Sequence, residues 1–285
     1  MQLGQIKWNG ATTAAIFNGS AARPIPDYTM LDLILHAETE GKTLVELASG
    51  LATRQAVLAE PLIPLQPREV WGCGCTYETS ASFRDADQRD AEHGTREGFY
   101  AHVYKADRPE IFFKGTARVC VGPGQPIGIR ADSKFTAPEP ELALVLGAKG
   151  KILGYTLAND VSAWDIEREN PLYLPQSKTY SACCALGPVI VTGDEIGDAT
   201  ALHMTCTIRR GDAEIFSGAT PISRLGRTFE TLVEYLLRSN PVPAGSVVLT
   251  GTGIIVKEDS ALQAGDIVTI RVAEIGELSN SCAIV

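Results

Sequence analysis

Apolar positions along this chain fall mostly in short runs separated by Gly and Pro turns, the pattern of strands, with only a few stretches of helical period. Residues 3–8 and 13–17 predict two strands, and residues 29–36 and 43–51 predict two helices, together a small α+β module. Pro61, Pro64 and Pro67 then favour an extended linker, so the chain divides into an N-terminal domain, 1–66, and a main domain, 67–285. Residues 69–77 predict the strand that opens the main domain, with Gly72 and Gly74 where backbone must approach something closely. From Glu78 to Glu110 the chain turns polar, charged and helical, with aromatic anchors at Phe83, Phe99, Tyr100 and Tyr104. Such an insert, 78–108, suits a lid beside a strand end, and equally a solvated helical hairpin. Beyond Ile111 short strands continue to Val285, interrupted by one helix whose stripe is Phe229, Leu232, Val233, Leu236 and Leu237 and which Asn240-Pro241 ends. The fold class expected is α+β and β-rich, a sandwich or rolled sheet.

Composition narrows the function classes. The chain has 285 residues, 45% of them hydrophobic and 21% charged, enough for a full core. A net charge of -9 and a pI near 5.0 argue against a nucleic-acid or anionic-membrane surface. The first residues lack the basic start and apolar core of a signal peptide, and no run approaches a membrane span, so a cytoplasmic location is expected. Seven cysteines without zinc-type spacing fit reduced, mostly buried thiols used as small apolar residues. His36, His93, His102 and His203 form no local cluster, and surface or packing roles are expected for all four.

The candidate chemistry begins at Pro138-Glu139-Pro140-Glu141, where two carboxylates two residues apart enter an apolar strand and share one face. Asp160 ends the next strand-like run and closes the same site if the two runs pair as a hairpin around residues 147–150. Three hard oxygen donors suit magnesium (Mg2+), manganese or calcium better than zinc. Solvent-facing carboxylates at strand ends have the same spacing, which alone decides nothing. Lys178, after a loop, suits a substrate carboxylate, a developing enolate, or plain solvent. The turn holding Thr250 and Thr252 lacks phosphate-loop and dinucleotide patterns, and reads as a carboxylate-binding turn or an ordinary one.

In order, Pro-Glu-Pro-Glu-Leu-Ala-Leu-Val (138–145), Gly-Tyr-Thr-Leu-Ala-Asn-Asp-Val-Ser (154–162), Cys-Ala-Leu-Gly-Pro-Val-Ile-Val-Thr (184–192), Leu-Thr-Gly-Thr-Gly (249–253) and the run 265–280 resemble the fumarylacetoacetate hydrolase superfamily. The resemblance implies a mixed rolled β-sheet with a small N-terminal domain, a metal at Glu139, Glu141 and Asp160, and a 2-oxo acid substrate. Homodimers or homotetramers are usual in that family. Residues 108–114 and 166–180 are most similar to its 2-keto-3-deoxy-D-arabinonate dehydratase branch. Thr76-Tyr77-Glu78-Thr79-Ser80 stands where the carbon-carbon hydrolases carry a histidine, and Thr-Gly-Thr-Gly replaces their Thr-Gly-Thr-Pro. The expected activity is therefore dehydration of a 2-keto-3-deoxy sugar acid through a metal-stabilised enolate. Lys178 would stabilise that enolate and Glu110 would serve as acid-base. Ser80, Arg84 and Gln176 would orient substrate, and Thr250 and Thr252 would hold its carboxylate end. The alternatives are a hydrolase or decarboxylase of acylpyruvate, fumarylacetoacetate or oxaloacetate type, and a catalytically silent binding or scaffold protein.

Overall fold

The computed structural model describes residues 1–89 and 99–285. Strands Gln2–Trp8, Ala11–Asn18 and Ala21–Ile25 form an antiparallel meander. Helices Met30–Glu40 and Leu44–Leu51 follow, each opened by a capping box, Thr29 with Asp32 and Thr43 with Glu46, which satisfies amide donors that have no partner inside the helix. The first helix stops at Gly41, whose left-handed φ of 64° suits glycine.

The meander extends the main sheet. Gln2–Trp8 pairs antiparallel with Cys184–Thr192, with Leu3 opposite Ile190. Onward from that strand lie Ile152–Asp160, Pro140–Leu146, Ser246–Leu249, Val70–Gly74 and the edge strand Glu110–Gly115. The sheet is mixed: Ser246–Leu249 runs parallel to Val70–Gly74, whereas most other neighbours are antiparallel. A second sheet orders Ala213–Pro221, His203–Arg210, Ile267–Val272, Gly276–Ile284 and Ile127–Ile129.

Two cores cover the two faces of the main sheet. Leu142, Leu144, Leu146 and Leu157 pack with Met204, Ile208, Val268, Ile270 and Leu278 of the second sheet. On the opposite face Ala143, Val145, Ala158, Ile190 and Val247 pack with Met30, Leu33 and Ile34 of the first helix. Every residue of Pro140–Leu146 is therefore buried, as expected of a strand covered on both sides. Truncating Leu144, which is fully inaccessible, to Ala would cost about 2–5 kcal/mol.

The expected hairpin forms, with Pro140 opposite Asn159 and Glu141 opposite Ala158, and the turn runs through Ala148–Gly150. The insert is helical where described, in Glu78–Arg89 and Phe99–Lys105. The late helix is Phe229–Leu237, N-capped by Thr228. Among the described residues no helix is long and apolar enough to cross a membrane.

Candidate metal centre

Strand period places Glu139, Glu141, Ala143 and Val145 on one face, and the hairpin register brings Asp160 alongside: its amide donates to the Glu139 carbonyl at 2.9 Å. One carboxylate oxygen from each of Glu139, Glu141 and Asp160 lies within 4.8 Å of the others, and all three residues are buried. Three cations and an indole hold the trio. Trp164 Nε1 (2.8 Å), Lys178 Nζ (2.9 Å) and Arg84 Nη2 (3.5 Å) converge on Oε1 of Glu139. Lys178 also donates to Asp160 Oδ2 at 3.2 Å and to Ser162 Oγ at 2.6 Å, while Lys114 Nζ lies 2.5 Å from Asp160 Oδ1. Among the described residues Glu141 accepts only the Gly251 amide, at 2.5 Å, within the Thr250–Thr252 turn.

These contacts separate two carboxyls that sit two residues apart. Burial opposes ionisation of Glu139, but Lys178 and Arg84 outweigh it and hold its carboxyl at about 2. Burial pushes Glu141 well above the usual carboxylate range, and the neighbouring Asp160 and Glu139 charges push it further. Around the trio stand Glu167, 3.1 Å from Arg84 Nη1, and Glu110, whose Oε2 is buried and finds no hydrogen-bond partner among the described residues. Burial raises Glu110, partly offset by Arg84. Counted as ionised, Glu110, Glu139, Glu141, Asp160 and Glu167 outnumber Arg84, Lys114 and Lys178 by two. A divalent cation fits that deficit, and the all-oxygen donor set fits magnesium, manganese or calcium.

Two glycines shape the floor. Gly72 and Gly74 face Phe112 and Glu110 across the Val70–Gly74 and Glu110–Gly115 pair. A Cβ on Gly72 would lie 2.7 Å from Phe112 Cε2, and one on Gly74 would lie 2.5 Å from Glu110 Cδ. The close approach anticipated at these glycines is thus made by the Glu110 and Phe112 side chains. Glu110, Phe112 and Lys114 share one strand face, which aims both charged ends into the cluster.

The other anticipated residues fall in different places. Ser80 and Arg84 are one helical turn apart and both buried. Arg84 lies between the Tyr100 and Trp164 rings, 5.4 and 5.5 Å from their centroids. Gln176 is exposed, and its carbonyl accepts from Arg130. Thr250 spends its hydroxyl proton on the Leu142 carbonyl and Thr252 on that of Ile254. His102 is exposed, His36 accompanies Tyr28, and His93 lies outside the described residues. All seven cysteines are free thiols, and burial pushes Cys75 up to about 12, far from a reactive thiolate. Lys114, Trp164 and Glu167 were not anticipated; a lysine inside an otherwise apolar strand was the available signal for the first. A separate cavity of about 680 Å³, lined among others by Tyr155, Asp198 and Phe229, includes none of the cluster.

Residues 89–283 match the fumarylacetoacetate (FAA) hydrolase C-terminal family, and the chain belongs to that family. The chain is 48% identical over 219 residues to 2-dehydro-3-deoxy-D-arabinonate dehydratase of Saccharolobus solfataricus, covering 75% of this chain and 72% of that protein. It is 45% identical over 219 residues to a protein of Haloferax volcanii named "Probable 2-keto-3-deoxyxylonate dehydratase", covering 77% and 73%. A solved structure of 2-keto-3-deoxy-D-arabinonate dehydratase complexed with magnesium and 2,5-dioxopentanoate superposes with a TM-score of 0.82 at 37% identity, over 100% of this chain and 99% of that one.

Proposed function

We propose that this protein is a divalent-metal-dependent dehydratase of a 2-keto-3-deoxypentonate. The observation that carries the proposal is the buried Glu139, Glu141 and Asp160 trio with Lys178 against it, in a chain 48% identical over 219 residues to a 2-dehydro-3-deoxy-D-arabinonate dehydratase. A 2,5-dioxo five-carbon acid, the ligand of the similar structure, is a 2-keto-3-deoxypentonate less one water.

Glu139, Glu141 and Asp160 would hold magnesium, with manganese or calcium as substitutes, and the ion would polarise the 2-oxo group and acidify the protons at C3. Lys178 stays an ammonium, because Asp160 and Glu139 outweigh the burial that opposes its charge. It therefore serves as a donor to the developing enolate oxygen and not as a base. Glu110 takes the C3 proton: the C–H pair becomes the enolate, the C4–O bond breaks as the enolate collapses to a 5-hydroxy-3-ene, and the same carboxyl returns its proton to the departing hydroxyl as water; loss of a C5 proton, gain of one at C3 and ketonisation of the resulting enol then give the 2,5-dioxo acid. Burial raises this carboxyl above its ordinary range, which makes it a better proton acceptor than an exposed glutamate. Ser80 and Arg84, one turn apart on the insert helix, orient the substrate together with Gln176, and the turn of Thr250 and Thr252 faces its carboxylate end. A homodimer or homotetramer is the assembly we propose, checked by light scattering.

Mass spectrometry after incubation with magnesium and a panel of 2-keto-3-deoxypentonates, 2-keto-3-deoxyhexonates and acylpyruvates tests the proposal. Loss of one water from a pentonate is expected. Pyruvate release from acylpyruvates without water loss from keto-deoxy acids would overturn it in favour of a hydrolase.

A further inference from the structure

The insert that carries Ser80 and Arg84 leaves the main fold after Tyr77 and rejoins it after the helix Phe99–Lys105. Both of its feet meet one short turn, residues 225–227. At the first foot, Leu225 bridges Tyr77 and the Gly226 amide donates to the Thr76 carbonyl at 2.8 Å. At the second, the Arg227 guanidinium gathers carbonyls of the last turn of the helix and of the two residues just past it. Its Nη2 donates to Val103 (3.2 Å), Tyr104 (3.1 Å) and Ala106 (2.5 Å), and its Nη1 to Asp107 (3.4 Å). The final carbonyls of a helix have no partner within it and form the negative end of its dipole, so a guanidinium there is both cap and counter-charge. The Tyr104 ring rests on the backbone beside it: a Cβ on Gly226 would lie 2.6 to 2.8 Å from that ring.

From this clasp a chain of contacts reaches the carboxylates. One turn before Tyr104, Tyr100 is buried with Cys75 and Ala81 and carries the Arg84 guanidinium over its ring. Arg84 in turn bridges Glu139 and Glu167. We propose that Arg227 is a positioning residue: by capping Phe99–Lys105 it sets Tyr100 under Arg84, and thereby holds the guanidinium between Glu139 and Glu167. Arg227 itself touches neither carboxylate. The inference deepens the proposed function and rests on it only where turnover is measured.

The test combines hydrogen exchange, steady-state kinetics and a mutant cycle on the full chain. In Arg227→Ala, amides of residues 102–107 and 80–84 should exchange faster by roughly 10–100-fold, the factor expected for losing charge-assisted hydrogen bonds. The kcat for water loss should fall about tenfold or more, since Arg84 shifts against Glu139. In an Arg84→Gln background the same change should cost less than about twofold, because its route to the site is already cut. Arg227→Lys, which keeps the charge and part of the carbonyl bonding, should recover part of both losses. Arg209→Ala removes a guanidinium that donates to the Asp212 carbonyl on a remote hairpin, and should leave turnover unchanged. Unchanged exchange, unchanged kcat, or an equal loss in the Arg84→Gln background would each overturn the proposal. So would global unfolding of both Arg227 variants, because a clasp on one insert leaves the two sheet cores intact. If the unaltered protein dehydrates none of the panel, the proposed function fails, while the exchange result still decides the clasp.

Discussion

Gly74→Ala isolates the placement of Glu110 from everything else in the protein. Gly74 lies in an extended strand, so alanine is allowed by its backbone, and the unfolded chain loses some freedom, worth about 0.4–1 kcal/mol of added stability. Against that stands the new methyl group, 2.5 Å from Glu110 Cδ and closer still to Oε2. Optimal separations between such atoms are about 3.5 Å, so the carboxyl must retreat by roughly 1 Å. Because the carboxyl is the free end of a flexible side chain, the stability cost belongs at the low end of the ~1–3 kcal/mol range for overpacking, and melting should move little. Catalysis is far less tolerant: a displacement of about 1 Å costs on the order of 100-fold. The kcat for water loss is therefore expected to fall about 100-fold in Gly74→Ala with a nearly unchanged melting temperature. Gly193→Ala, at a position where a Cβ meets nothing within 4 Å, should change neither. The loss should vanish when Glu110→Gln is already present, since both changes remove the same group. Wild-type turnover in Gly74→Ala, or a full further loss on top of Glu110→Gln, would refute the role of Glu110.

Three further outcomes are expected. Magnesium should raise the melting temperature of the unaltered protein, by about 2.7 kcal/mol of stability at 100 times its dissociation constant, whereas Glu141→Gln should melt higher than the unaltered protein when both are metal-free and respond weakly to magnesium; calorimetry with and without chelator checks this. Lys178→Met should lower kcat by on the order of 100-fold through loss of the enolate donor, yet bind magnesium at least as tightly by titration calorimetry, since Glu139 and Asp160 lose a competing cation. Glu139 has a folded pKa of about 2 against an ordinary 4.5, so its contribution to stability is present above about pH 4.5 and lost as pH falls towards 2; acid unfolding followed by circular dichroism should be shallower over that window in Glu139→Gln.

Much of this protein was legible in its sequence because the information is local. Alternation, Gly and Pro turns and caps announce strands and helices, and the Glu139, Glu141 spacing announces a shared strand face, since that face depends only on a period of two. The placement of Asp160 beside them needed one more step, the hairpin through residues 147–150, which is also local. What only the tertiary structure decided depends on segments far apart in the chain. Leu3 pairs with Ile190 and shares a core with Val145 and Val247, a contact no neighbouring residue encodes. Lys114 and Glu167 enter the cluster only because the edge strand and the Trp164–Glu169 helix converge on the hairpin end. The same long-range packing turned Thr250 towards the Leu142 carbonyl and left Gln176 in solvent. The sequence by itself determined which groups are available, because ionisable side chains in apolar runs are costly and conspicuous. Their pairing, and hence which carboxyl is held ionised and which is pushed towards its acid form, followed from distances of a few ångströms that only the folded sheet sets.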